Sequence, residues 1–316
     1  MSKNKGLSSR AIIGSFFQRL TAAQEASWVS DISMLFTTDQ ESETYKWLGM
    51  SPVMREWIGG RHAKGFRENG MTIVNKLFEA TLEVPIDWMR RDKTGQIMIR
   101  VDEMVQRTVT HYGSLLSANI LNGESAVCYD GQYFFDTDHS EGNSGAQSNL
   151  ITVDISAVPA AVHGTTSAPS PEEIRAMVLS AVQQMLGYKD DQGEPMNEDA
   201  RSFLVMVPTA WFMPAAAALN NPVLGGGDTN IMTNLDGYSF RLAMNPRLTW
   251  TDKLVVFRRD GQVKSFIRQE EEGVQIAAVA EGSELEFNER VHHYGISAIR
   301  NTGYGYWQKS CLVQAV

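Results

Sequence analysis

Cysteine is nearly absent. Cys128 and Cys311 are the two in 316 residues, too few for a disulfide framework and too far apart for the paired spacing of a structural zinc site. One remote disulfide stays open, and two buried free thiols are what a chain kept in a cytoplasm is expected to carry. Long apolar runs are missing too: the stretch from Trp211 to Leu219 is broken by Pro214 and is about half of the roughly 20 residues that span a bilayer. A transmembrane helix is excluded on that ground. There is no excess of base, because Lys and Arg number 28 against 37 Asp and Glu, for a net charge of -9. A dedicated nucleic-acid binder shows the opposite balance. No acid precedes Glu25, and Lys3, Lys5, Arg10 and Arg19 make the start basic. That start lacks the apolar core and cleavage site of a secretory signal, so synthesis and residence in a cytoplasm are expected. Internal repeats are lacking as well. What remains is ordinary globular composition, 43% hydrophobic and 21% charged, enough for one large domain or two modest ones.

The periodicities predict a mixed α and β chain. From Ser8, Ile12, Ile13, Phe16, Phe17 and Leu20 recur on one helical face, and Trp28, Ile32 and Leu35 follow as a second apolar group. Met54 to about Asp92 reads as extended chain: Gly59-Gly60 and Gly70 divide it, and Leu82, Val84 and Ile86 alternate with Glu83 and Pro85. This predicts a long hairpin, which two strands alone cannot stabilise, so it should lie on another surface. A stripe from Ile97 to Ile120, closed by Asn122-Gly123 after a turn at Asp92-Lys93-Thr94-Gly95, predicts one long strut helix. Val127 to Phe135, with Asp130-Gly131, reads as a tight hairpin between aromatic strands. Ser170-Pro171-Glu172-Glu173 is a capping box with proline at the first helical position, predicting a helix to Gly187. Strands are expected at Phe203–Val207, Tyr238–Met244, Leu254–Arg258, Val263–Ile267, Val274–Ala280 and Arg290–Arg300. Asp260-Gly261 is expected to join the third and fourth as a hairpin.

Candidate chemistry is sparse. Asp136, Asp138 and His139 could join a metal site with His292 and His293, but adjacent strand residues point to opposite faces, and aspartates closing a turn are the simpler account. Gly225-Gly226-Gly227-Asp228-Thr229 lacks the Gly-Lys-Ser/Thr ending of a phosphate loop. No nucleophile elbow or His-Glu-x-x-His helix occurs. No catalytic residue, metal or cofactor is assigned. Charge is more telling. Arg55, Arg61, Lys64, Arg67 and Lys76 against Glu56 and Glu68 give the hairpin a local +3, while Glu270, Glu271, Glu272, Glu281, Glu284, Glu286 and Glu289 against Arg268 give -6. Either the acids form a solvated face, or the band receives the basic hairpin of another copy, since complementary patches steer docking.

Several blocks resemble the major head subunits of phage Mu and Mu-like prophages. They are Tyr45-Lys46-Trp47-Leu48-Gly49, Met54-Arg55-Glu56-Trp57-Ile58-Gly59-Gly60-Arg61, Asn75-Lys76-Leu77-Phe78-Glu79, the run from Tyr129 to His139, and Gly303-Tyr304-Gly305-Tyr306-Trp307-Gln308. Lys46 and Ser140 stand where that family tends to have proline. The resemblance implies an α+β, Hong Kong 97-like capsid fold. Its parts would be an N-terminal arm and helices over 1–50, an extended E-loop over 51–95, a peripheral domain with its spine helix over 96–165, an axial domain over 166–260, and return strands over 261–316. It implies a non-enzymatic subunit that self-assembles into hexamers and pentamers of an icosahedral shell, made in a bacterial cytoplasm and ending in the virion. The shell would enclose double-stranded DNA without sequence-specific binding and without a membrane, and would meet scaffolding and portal proteins and a decoration protein. Contacts between copies are then expected at Arg55, Trp57, Arg61, Lys64, Arg67 and Lys76 of the E-loop and at Glu270, Glu271, Glu272, Glu284 and Glu286 of the acidic band. In the arm they are expected at Phe16, Phe17 and Trp28. A metal-dependent hydrolase using Asp138 and His139, and an internal DNA-binding protein using Lys3, Lys5, Arg10 and Arg19, are the competing readings.

Overall fold

The structure, a computed structural model, describes residues 8–23, 26–46, 48, 70–91, 95–225, 227 and 229–316. Arg55, Trp57, Arg61, Lys64 and Arg67 of the expected hairpin lie outside these, as do Lys3, Lys5, Asp92-Lys93-Thr94, Gly226 and Asp228.

Two short-range signals organise the amino-terminal region. Ser8 accepts a hydrogen bond from the Ala11 amide and starts α1 (Ser9–Ala22), the usual role of an N-cap serine. Ile12 and Phe16 of α1 are buried with Val84, Met89, Val101, Val105 and Tyr294. Phe16, expected to contact a neighbouring copy, thus lies in the chain's own core. Trp28, on α2 (Ser27–Ile32), also packs inward, against Gly113. Of the three expected arm contacts only Phe17 is substantially exposed, at 41%. The second apolar group does not continue as helix: the Ser33 hydroxyl bonds back to the Val29 carbonyl, and Leu35 falls on β1 (Ser33–Thr37).

Around this run two sheets. In the first, β1 pairs in parallel with β9 (Phe266–Val279), which pairs antiparallel with β10 (Val291–Tyr304), which pairs antiparallel with β4 (Lys76–Pro85). Here β2 (Ser42–Tyr45) and β3 (Met71–Val74) form a separate ribbon. The returning half of the expected hairpin is therefore covered after all, bonded along β4 to β10 from Lys76 to Pro85. The two strands expected on either side of Gly273 are one: the ladder with β10 shifts register between Ser297 and Arg300, so Gly273 is absorbed in an irregularity instead of ending the strand.

The second sheet has the order β5 (Leu150–Val153), β11 (Ser310–Ala315), β8 (Lys253–Arg258), β6 (Ser202–Val207), β7 (Ser239–Met244). Its apolar strands β6 and β8 are buried end to end. It draws β5 and β11 from outside the 166–260 span expected for one domain. Asp260-Gly261 is not a hairpin turn but the corner between sheets, since β8 belongs to one and β9 to the other. Gly261 takes φ +76 there, a conformation glycine adopts without penalty. Helices α6 (Pro171–Leu186) and α7 (Phe212–Asn220) pack by this sheet. The α6 capping box is in place, Ser170 accepting from the Glu173 amide and Glu173 from the Ser170 amide.

The expected strut is two helices, α4 (Gln96–Val109) and α5 (His111–Leu121), meeting at Thr110. The hydroxyls of Thr108 and Thr110 bond back to the carbonyls of Met104 and Gln106, a habit of threonine that disturbs a helix. At its far end Gly123 is needed less as a cap than as clearance: a Cβ there would lie 2.4 Å from the Phe135 ring. Val127 to Phe135 forms no strands, only a bridge between Val127 and Tyr133 around Gly131. Tyr129, Phe134 and Phe135 all turn into the core, which an alternating strand could not do.

Candidate assembly surfaces

The central signature is built inward. Asp136 accepts hydrogen bonds from the Tyr133 and Thr137 amides, so it closes a turn. Asp138 is exposed. His139 is fully buried, its Nδ1 2.6 Å from Asp130 Oδ2 and its Nε2 3.2 Å from Asn149 Oδ1. The amide of Asn149 is oriented by donation from Nδ2 to the Phe134 carbonyl at 2.7 Å and by acceptance from the Asp136 amide at 2.9 Å. The imidazole stacks on Trp307, with ring centroids 4.0 Å apart and planes 10° apart. Tyr129 donates to Gln308 Oε1 at 2.9 Å, and Phe134 stacks on Tyr304. Two sequence blocks some 170 residues apart are thus one packed joint, and His139 spends both ring nitrogens inside it.

The metal reading therefore fails at Asp136, Asp138 and His139, and no group of three or more potential ligands occurs among the described residues. His292 and His293 face opposite ways. His292 is buried beside Ser9 and Tyr294, whereas His293 meets Glu83 at 3.2 Å. Both cysteines are buried and free, and burial pushes the Cys311 thiol up to about 12, far from the thiolate range that reactive cysteines need.

An ionic cluster around the buried Arg258 and Lys309 gave no signal in the sequence. Arg258 pairs with Asp199 at 2.8 Å and Asp260 at 2.6 Å, and donates to Asn197 Oδ1, which also accepts from Lys309 Nζ at 2.9 Å. Burial, and then the Arg258 charge, push Lys309 down to about 8. Asn197 Nδ2 donates to the carbonyls of Met185 and Gln308. The cluster ties the carboxyl-terminal strand to α6, and only chain folding brings its members together.

Toward solvent, the expected contact residues separate into two kinds. Lys76 is exposed on β4. Within the acidic band Glu270 accepts from the Tyr112 hydroxyl, Glu271 from the Asn75 side chain, and Glu286 from the Gly282 amide. These three are already engaged inside the chain, whereas Glu272 and Glu284 are exposed. Two short helices, α3 (Ile86–Arg91) and α9 (Glu284–Glu289), share one end of the first sheet, tied by the Ile86 amide to the Arg290 carbonyl and by Arg290 to Asp87 at 3.1 Å. They leave Trp88 66% and Phe287 86% exposed. Beside Thr110 a cavity of about 200 Å³ opens between the helix break and strands β4 and β10. β4 itself is an edge strand carrying Lys76, Glu79, Glu83 and Pro85, residue types that discourage indiscriminate edge pairing.

An arrangement of two sheets, an interrupted spine and exposed edges, with its polar clusters turned inward, is matched along nearly its full length by the procapsid subunit of bacteriophage JBD30. The TM-score is 0.56 at 22% identity, covering 97% of this chain and 75% of that one. The capsid subunit of cyanophage P-SCSP1u matches at 0.54 and 10% identity, over 93% and 89%. This is the Hong Kong 97-like capsid fold. Residues 10–159 also match the family model described as Mu-like prophage major head subunit gpT. Among curated relatives, the Mu-like prophage FluMu major head subunit of Haemophilus influenzae is 32% identical over 120 residues, 38% of this chain and 39% of that one. The major capsid protein of Escherichia phage Mu is 33% identical over 113 residues, 36% and 37%. The matched stretch thus spans less than two fifths of either relative's length. Within the capsid fold, the joint formed by the Tyr129–His139 block and Trp307 is scaffolding that fixes one sheet against the other.

Proposed function

We propose that the chain is the major capsid subunit of a Mu-like tailed phage or prophage, assembling into hexamers and pentamers of an icosahedral head around double-stranded DNA. One observation carries the reading. The segment that matches Mu-like head subunits, residues 10–159, is part of a chain that takes the capsid fold over nearly its whole length. An acidic subunit suits a container, because a basic wall would hold DNA phosphate strongly and in a salt-dependent way. The net charge is -9.

In this reading the basic residues Arg55, Arg61, Lys64, Arg67 and Lys76, with Trp57, reach another copy, and Glu272 and Glu284 are the acids of the band left to receive a neighbour. Phe17 is the arm residue available for such contact. Scaffolding, portal and decoration proteins are the further partners of such a shell, and the virion head is its location. No helix among the described residues is long and apolar enough to cross a membrane.

Electron microscopy and light scattering of the purified protein across a concentration series test the proposal. Rings or closed shells support it, and a monomer at every concentration overturns it. The variant Arg61→Glu with Lys64→Glu should reduce assembly while leaving the folded subunit intact. Unchanged assembly would refute the charge-docking part and leave the shell reading standing.

A further inference from the structure

The cavity beside Thr110 has an unmet need. Its walls include the apolar side chains Phe78, Val274 and Ile296, and its polar end is Arg300, His111 and Arg107. Arg300 is 6% exposed, yet of the five N–H donors of a guanidinium the one bonded is on Nη2, to the Thr108 carbonyl at 3.4 Å. Its guanidinium lies over the Tyr112 ring, 4.6 Å from the centroid, but among the described residues its Nε has no hydrogen-bond partner, nor has His111 Nδ1. Among the described residues no carboxylate pairs with Arg300. Glu270, its cross-strand neighbour, turns instead to the Tyr112 hydroxyl. A buried cation left without an anion is costly, and a carboxylate arriving from outside offsets that cost. Arg107, exposed at the rim, has no ion-pair partner among the described residues either. Glu79 at the rim leaves the mouth one positive charge in excess, because burial and the Arg300 charge push His111 down to about 4 and keep it neutral.

Helix α9 has the complementary chemistry. Phe287 is the most exposed large hydrophobic side chain among the described residues, and Glu284, one turn before it on the same face, is exposed. A cavity of about 200 Å³ is larger than the roughly 150 Å³ cavity known to take benzene, so it has room for a benzyl group. Within one chain the two cannot meet. β10 runs from Val291, next to α9, to Ile296 at the near edge of the cavity, and five steps of about 3.3 Å put them roughly 17 Å apart.

We propose that α9 of one copy docks into this cavity of a second copy, with Phe287 filling the apolar part and Glu284 meeting Arg300 and Arg107. Donor and acceptor surfaces differ, so the contact suits a head-to-tail arrangement, which forms a ring where the rotation between copies closes. The inference rests on the shell reading and adds to it which surfaces join.

The test begins with Phe287→Ser. Because that side chain is exposed, the subunit should melt like the wild type while the concentration needed for assembly rises by about tenfold or more. Glu284→Arg should likewise weaken assembly, and adding Arg107→Glu should restore part of it. Subunits carrying Phe287→Cys, mixed with subunits carrying Glu79→Cys, should give an oxidised dimer that neither gives alone. Wild-type shells together with unaltered assembly of Phe287→Ser and no mixed dimer overturn the docking and spare the shell reading. A wild type that never assembles overturns both.

Discussion

Asn149→Ala should be among the most damaging single changes in the protein, although nothing in the surrounding sequence advertises the residue. The side chain is fully buried and makes three close hydrogen bonds, to the Phe134 carbonyl at 2.7 Å, the Asp136 amide at 2.9 Å and His139 Nε2 at 3.2 Å. Each is worth roughly 1 kcal/mol net, and a buried polar group left unpaired adds roughly 1 to 3 kcal/mol. The three bonds account for about 3 kcal/mol, and two stranded groups, with water rescuing the third, add at least about 2 kcal/mol, for a loss of about 5 kcal/mol or more. Urea unfolding should be read below the assembly threshold, because association stabilises the folded state by mass action. Asp138→Ala is the control: it sits one residue from His139 but is exposed, so its effect should stay within about 0.5 kcal/mol. A metal site would reverse that order. If Asn149→Ala costs less than about 1 kcal/mol, the joint between the two sequence blocks does not hold the fold as its geometry indicates.

Lys309 supplies a pH test: burial holds its folded pKa at about 8, below the ordinary lysine value of 10.5. Between these values the unfolded chain binds more protons than the folded one, so this residue makes stability rise with pH, by at most about 1.4 kcal/mol per unit. Urea midpoints from pH 8 to 9.5 should show a steeper rise for the wild type than for Lys309→Met, and equal slopes would refute the assignment. Gly123→Ala forces a Cβ to within 2.4 Å of the Phe135 ring, and overpacking of this kind costs about 1 to 3 kcal/mol. Thermal unfolding should show a lower Tm, whereas an unchanged Tm would mean that the ring moves aside freely.

How much of this was legible in sequence depended on the range of the interaction. Helix α6 could be read because its capping box and first-turn proline lie within four residues. The apolar runs of β6 and β8 could be read because a strand buried along its length needs no distant information to be recognised. The strut could be read in extent but not in its break, which comes from threonine hydroxyls competing for helix carbonyls at Met104 and Gln106. Asp260-Gly261 misled because the same dipeptide serves a hairpin and a corner between sheets, and strand pairing chooses between them. Phe16 misled in a similar way: an apolar helix face shows that something covers it, not whether the cover belongs to the same chain.

Composition and local pattern by themselves determined that the chain is folded, acidic, rich in both helix and strand, and poor in reactive cysteine. The sequence blocks alone pointed to Mu-like head subunits. The tertiary structure decided the rest: that Gly273 would not divide β9, that the Tyr129–His139 block would close on Trp307, and that Glu270, Glu271 and Glu286 would bond within the chain while Glu272 and Glu284 stayed exposed. It also opened a cavity beside the helix break, lined by an Arg300 that meets the Thr108 carbonyl and the Tyr112 ring but, among the described residues, no carboxylate. The physical reason is common to all of these. Each depends on groups far apart in sequence whose contact requires closing a long loop, a cost met only when the packing of the whole core repays it.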